Sequence, residues 1–132
     1  MMIGYVTVGT NDIAKAHVFY DALLGTIGGK RLMEMPEHGG FTMYGTNLTS
    51  PAIAVTNPYD GNAATVGNGN MVAIVMDERA KVDAFYAKAM ELGASCEGKP
   101  GLRSEEGDQA FYGAYFRDLD GNKFCAFRVG GA

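Results

Sequence analysis

Hydrophobic and polar positions along the chain change period twice in the same way. Residues 3–8 alternate, with Val6 and Val8 on one face and Tyr5 and Thr7 on the other, which predicts a strand over Ile3–Val8. From Ile13 the period lengthens. Ile13, Ala16, Phe19, Tyr20, Leu23 and Leu24 recur at three- and four-residue spacing, as one face of a helix requires, with Asn11 or Asp12 available to cap it and Gly25 to stop it. Short β-favouring runs follow at Lys30–Met35, Phe41–Tyr44 and Ala52–Val55, the first two separated by the turn Glu37-His38-Gly39-Gly40. The second half predicts a strand over Met71–Met76 and a helix capped at Asp77 and stopped at Gly93. Strands are then expected near Ser95, at Phe111–Phe116 and at Lys123–Val129. Leu119-Asp120-Gly121-Asn122 joins the last pair, and its Asp-Gly is a strong hairpin signal.

The parallel between the halves extends to residue identity. Ala14-Lys15-Ala16-His17-Val18-Phe19-Tyr20 is matched by Ala80-Lys81-Val82-Asp83-Ala84-Phe85-Tyr86, an offset of 80 minus 14, or 66, which is half of 132. The same offset pairs Tyr5–Val8 with Met71–Ile74. Duplication of one βαβββ unit explains both matches. The expected fold class is therefore α+β: two tandem βαβββ modules in a single domain, 1–56 and 71–132, each contributing to a curved mixed sheet. Residues 57–70 (NPYDGNAATVGNGN), rich in Gly and Asn, read as the linker. Gly67-Asn68-Gly69 lacks the GK[ST] or third spaced Gly of a phosphate loop.

Composition narrows the function. With 47% hydrophobic and 20% charged residues the chain is an ordinary globular one, long enough to bury roughly two-thirds of its extended surface without a metal or disulfide staple. Eleven Lys and Arg stand against 15 Asp and Glu, a formal charge of −4, so the basic footprint of a nucleic-acid binder is missing. Cys96 and Cys125 form no CxxC and no disulfide framework, which agrees with a reduced, cytoplasmic protein. The beginning MMIGYVTVGT does not read as a signal peptide, and no run approaches the ~18 apolar residues of a membrane span, so no membrane partner is expected.

The two βαβββ halves, the helix entered as Thr10-Asn11-Asp12 and carrying Phe19-Tyr20, and the hairpin Arg117-Asp118-Leu119-Asp120-Gly121-Asn122-Lys123 together resemble the vicinal oxygen chelate superfamily. That superfamily comprises glyoxalase I, the bleomycin-resistance proteins and the extradiol dioxygenases, and the resemblance covers nearly the whole chain. It implies two sheets curled around a shared concavity, a homodimer, and in the family's enzymes metal ligands on strands facing the concavity. Transferred residue by residue, those ligand positions fall on Tyr5, on Met71, on Cys125 and within Ala52–Val55. Tyr, Met, Cys and aliphatic residues make a poor site for Mg, Mn, Fe or Ni, so no metal and no other cofactor is expected. Metal polarisation of paired substrate oxygens is expected to be lost with them.

Candidate site residues follow from the same patterns. Tyr5, Phe41, Tyr44 and Tyr112 are candidate walls for an apolar or aromatic ligand, with core packing as the alternative for each. Met71 and Cys125 join them through their place at the family's ligand positions. In the loop Gly101–Gln109, Arg103 can bind a carboxylate, and Glu105 or Glu106 can receive a cation or act as a base; the plainer reading is a solvated charged loop, and an oxygen-donor metal site shared with His38 is a further one. His17 falls outside the apolar stripe and reads as a surface residue; His38 sits in a turn, where it can enter a pocket or stay ordinary. A nucleophilic Cys125 needs a nearby cation, and Arg128, three residues on, falls on the opposite face. Asp118, Asp120 and Asn122 mimic the start of a calcium loop, but the glycine and glutamate spacing does not follow, so they read as a turn.

The function expected from these readings is a small-molecule-binding protein of this superfamily that sequesters a flat apolar or cationic compound. The alternative is a lyase, isomerase or dioxygenase of the same superfamily that uses non-standard ligands or metal-free acid–base catalysis. A structural domain without a ligand is the third.

Overall fold

A computed structural model describes residues 2–132, which form two compact units, one ending at Val66 and the other beginning at Gly67. In the first, the strand β1 (Tyr5–Gly9) leads through Thr10 and Asp12 into the helix α1 (Ile13–Gly25). The Asp12 carboxylate accepts from the Lys15 N–H at 3.1 Å, and the Thr10 hydroxyl accepts from the Asp12 N–H at 3.1 Å, so two otherwise orphaned donors are satisfied at the helix start. Gly25 is the last helical residue rather than the stop. Termination falls to Thr26, whose hydroxyl donates to the Leu23 carbonyl at 2.7 Å, and to the left-handed Gly28.

Three strands complete the unit: β2 (Lys30–Met35), β3 (Phe41–Gly45) and β4 (Ala52–Thr56). The sheet order is β1-β4-β3-β2, with β1 parallel to β4 and the other pairs antiparallel. Partners in register share a face, so the pairings sort the side chains without ambiguity. Val6, Val8, Ile53, Val55, Thr42 and Tyr44 face α1, where Ala16, Phe19, Tyr20, Leu23 and Leu24 are buried. Tyr5, Phe41, Met33, Met35 and Met43 lie on the opposite, open face.

The second unit repeats this plan with β5 (Val72–Val75), α2 (Arg79–Glu91), β6 (Ser95–Leu102), β7 (Phe111–Arg117) and β8 (Lys123–Val129) in the order β5-β8-β7-β6, β5 parallel to β8. Both helix ends keep the repeat offset, since 79 minus 13 and 91 minus 25 are each 66. Val82, Phe85 and Ala89 of α2 are buried on the helix side of the sheet with Ala114, Phe116, Phe124 and Ala126. The helix start differs from the expectation: its cap is Glu78, which makes no side-chain capping bond, while Asp77 pairs with Lys81 four residues on at 2.7 Å.

The β7–β8 hairpin is organised by Asp118. Its nearly buried carboxylate accepts from the backbone N–H of Asp120 at 3.0 Å and of Asn122 at 2.8 Å, and from the Asn122 amide at 2.9 Å, while Gly121 supplies the left-handed position at φ +93°. The carboxylate is committed to the turn, which accounts for the Asp-x-Asp-Gly-Asn spacing.

The stretch expected to be a linker from residue 57 onward belongs to the first unit up to Val66. The Asn57 N–H donates to the Gly39 carbonyl at 2.9 Å, and Asn11 brackets Ala64, accepting from its N–H at 2.7 Å and donating to its carbonyl at 3.3 Å. Gly and Asn here serve a folded loop rather than a flexible connection. Its turns are closed by Gly61 N–H to Pro58 O at 3.1 Å and Asn62 N–H to Asp60 Oδ1 at 2.9 Å.

Candidate functional site

The open face of the first unit lines a cavity of about 1000 Å³. Its floor is built by strand alternation: Met33 and Met35 from β2, Phe41 and Met43 from β3 and Tyr5 from β1 all point to one side of the sheet. Met33 lies opposite Met43 and Met35 opposite Phe41 in the β2–β3 ladder, so thioethers and rings are interleaved. The Tyr5 and Phe41 rings meet edge to face, centroids 6.0 Å apart and planes at 80°.

The rim comes from two loops. The β2–β3 turn carries Glu37 and His38 and is closed by the His38 N–H to the Met35 carbonyl at 3.0 Å and the Phe41 N–H to the His38 carbonyl at 3.2 Å. Gly40 sits at φ +74°, and a Cβ there would lie 2.7 Å from Cγ1 of Ile13, so both backbone conformation and close approach to α1 require glycine. The second loop, 57–63, contributes Asn57, Tyr59 and Asn62. Among the described residues Glu37 and His38 are the only titratable lining groups besides the two tyrosines, with Glu37 Oε1 and His38 Nε2 3.9 Å apart, and no Lys or Arg lines the cavity.

Of the residues singled out from sequence, Tyr5, His38 and Phe41 line this cavity. Tyr44 does not. It is three residues from Phe41 on the same strand and therefore on the other face, where it is buried against α1 and donates to Asp21 Oδ1 at 2.7 Å. Burial first, and then the Asp21 carboxylate, push its phenol well above the usual range, so it remains a donor. Tyr112 is corrected for the same reason: it lies on the α2 side of β7, donates to Asp83 Oδ1 at 2.6 Å, and carries the Arg79 guanidinium 5.3 Å from its ring centre. His17, expected at the surface, is half-buried and bonded through Nε2 to the Thr42 hydroxyl at 2.8 Å. The Thr42 hydroxyl also reaches the Gly40 carbonyl at 2.8 Å, so the His17–Thr42 pair links α1 to the turn below the cavity rim.

The remaining candidates belong to the second unit. Met71 is half-exposed just before β5. Arg103 holds its guanidinium over the Tyr115 ring, 5.5 Å from the ring centre, and bonds to the Lys99 carbonyl, in space kept open by Gly98 and Gly101, where a Cβ would come within 3.2 and 3.1 Å of it. Cys125 pairs with Tyr115 in the β7–β8 register on the open face and is 1% exposed; burial pushes its thiol up, against a smaller opposite pull from Tyr115. That is the reverse of what a nucleophile needs. Glu105 is exposed, whereas Glu106 is gripped by Arg79, with one bond at 2.9 Å, and the guanidinium holds its carboxyl below the usual range. The acidic loop is thereby tied to the start of α2. Among the described residues no three His, Cys, Asp or Glu side chains group around a common point.

Sequence reasoning missed Met33, Met35, Met43 and the 57–63 loop. The methionines were legible as a period-2 face shared by two adjacent runs. The loop was not, because its role depends on the Asn57–Gly39 and Asn11–Ala64 bonds, which join residues far apart in the chain.

Comparison with known proteins places this geometry in context. No curated protein matches the chain. Among solved structures, it is similar to a glyoxalase/bleomycin resistance protein from Albidiferax ferrireducens T118, at 35% identity and TM-score 0.81 over 97% of this chain and 98% of that one. It shares its fold with a hypothetical protein of S. aureus (21% identity, TM-score 0.72, 98% and 94% covered) and with a lactoylglutathione lyase from Agrobacterium tumefaciens (18%, 0.66, 96% and 92%). Among the described residues no helix is long and apolar enough to cross a membrane. The family model for the Glyoxalase/Bleomycin resistance protein/Dioxygenase superfamily matches residues 2–126, and with the repeated βαβββ units this makes the chain a member of that superfamily.

Proposed function

We propose that the protein binds a small, flat, apolar or cationic molecule on the open face of its first unit and sequesters it, acting as a homodimer in the cytoplasm. The observation that carries this reading is the cavity of about 1000 Å³ walled by Tyr5, Met33, Met35, Phe41 and Met43, a size and lining suited to a drug-sized ligand. Thioethers are polarisable and adaptable, so a methionine floor accommodates flat ligands of varied outline. That no Lys or Arg among the described residues lines the cavity, with Glu37 on the rim, favours a neutral or positively charged ligand over an anion. The similarity to a glyoxalase/bleomycin resistance protein supports the same class.

Binding is favoured over the family's metal chemistry by donor type. A phenol at Tyr5, a thioether at Met71, a thiol at Cys125 and the apolar side chains of Ala52–Val55 do not suit a hard or borderline divalent ion. Thermal-shift screening of flat aromatic cations and neutral aromatics tests the proposal, with hits measured by titration calorimetry. A concentration-dependent rise in Tm that disappears in Met43→Lys, with the circular dichroism unchanged, is the expected result. A library without hits, or a stoichiometric transition metal in protein purified without chelator, would overturn it.

A further inference from the structure

Tyr5 and Phe41 stand at 80° to each other and form a corner of two rings. A third ring, Tyr59, is carried on the 57–63 loop that lines the same cavity, and it is fully exposed, so no protein packing occupies its face. Ring faces carry negative quadrupole potential, Glu37 adds a carboxylate at the rim beside His38, and among the described residues no Lys or Arg lines the cavity.

The floor, by contrast, is short of hydrogen-bond acceptors. Beyond the Tyr5 hydroxyl it offers the weakly accepting sulfurs of Met33, Met35 and Met43, while the other polar lining groups, Thr10, Asn11, Thr56, Asn57 and Asn62, belong to the strand ends and loops around it. A primary ammonium seated there would give up water around three N–H donors and recover little, at a cost typical of buried unmade hydrogen bonds. A quaternary ammonium has no N–H donor to satisfy, and its charge is spread over alkyl groups that fit thioethers and ring faces.

Resting on the small-molecule reading above, we propose that the ligand class is an aryl or alkyl quaternary ammonium ion, held against the Tyr5–Phe41 corner with Tyr59 closing on it and Glu37 as its counter-charge. The recognition is by charge and shape together, without a hydrogen bond to the cationic centre.

Titration calorimetry with two matched probes, 3-hydroxyphenyltrimethylammonium and its neutral carbon isostere 3-tert-butylphenol, tests this. The ammonium probe is expected to bind at least about 10-fold more tightly than the isostere. Tyr59→Leu, which keeps an apolar group at an exposed position outside the core, should weaken the ammonium probe about 10-fold and leave the isostere within about 2-fold. Glu37→Gln should weaken the ammonium probe alone, by about 3-fold, and raised salt should do the same. Equal or tighter binding of the isostere, or an unchanged ratio in both variants, overturns the ammonium proposal while leaving the binding cavity intact. Failure of both probes to bind at millimolar concentration overturns the two together.

Discussion

Tyr44 and Asp21 join the first sheet to its helix: the buried phenol of β3 donates to the carboxylate of α1 at 2.7 Å, and the same carboxylate receives Arg31 at 2.9 and 2.7 Å. Arg31 also reaches Glu34 at 2.7 Å, so one guanidinium bridges helix and edge strand on the face opposite the cavity. The cluster holds the sheet on which Phe41 and Met43 are presented.

Replacing Tyr44 by Phe removes one hydrogen bond but keeps the ring, and should cost about 1 kcal/mol in urea unfolding. The Arg31 hydrogen bonds hold the Asp21 carboxyl below its ordinary value of 3.8, although partial burial opposes them. A group with a lowered folded pKa contributes stability above its unfolded value and loses it as pH falls through the folded one. The acid limb of the stability curve, from just below pH 3.8 downward, should therefore flatten in Asp21→Asn. An unchanged limb would show that the cluster does not report on folding.

Gly40→Ala places a Cβ against Ile13 at a φ of +74°. The left-handed conformation alone costs a residue with a side chain about 1–2 kcal/mol, and relief of the contact must move either α1 or the turn. Stability should fall by at least that amount, and binding of any cavity ligand should weaken as well, because the turn carries Glu37 and His38. Gly61→Ala, also at positive φ but with open space around its Cβ, should show the backbone cost without the effect transmitted through α1.

Asp118→Ala leaves three N–H donors of the β7–β8 hairpin without their acceptor. Hydrogen bonds to a charged, nearly buried acceptor predict a loss of about 2–3 kcal/mol, measured by the urea midpoint. Asp118→Asn keeps the shape and one acceptor oxygen, and should recover about half of that loss. Added calcium should alter neither variant nor parent if the carboxylate serves the turn alone.

The two thiols should separate cleanly in a labelling experiment. Cys96 is exposed, whereas Cys125 is buried and its thiol is pushed up by that burial. One equivalent of a chromogenic disulfide reagent should react with native protein near pH 8, and the second only in denaturant. Rapid native reaction of both would contradict the placement of Cys125 under Tyr115.

The order of elements and the duplication were written in local pattern: periods of two and 3.6 depend only on neighbours in the chain, and both helices obey the 66-residue offset at both ends. Even the hairpin was legible, because Asp118 and Gly121 act within five residues. Tertiary structure decided which face of each sheet is open. Alternation separates Phe41 from Tyr44, and Phe111 from Tyr112, but it does not say which of each pair meets the helix; that was settled by where the phenols find Asp21 and Asp83. It also decided that residues 57–63 belong to the cavity. The bonds of Asn57 to Gly39 and of Ala64 to Asn11 that hold them close over long stretches of chain, and hydrogen bonds between distant residues leave no periodic trace in a sequence.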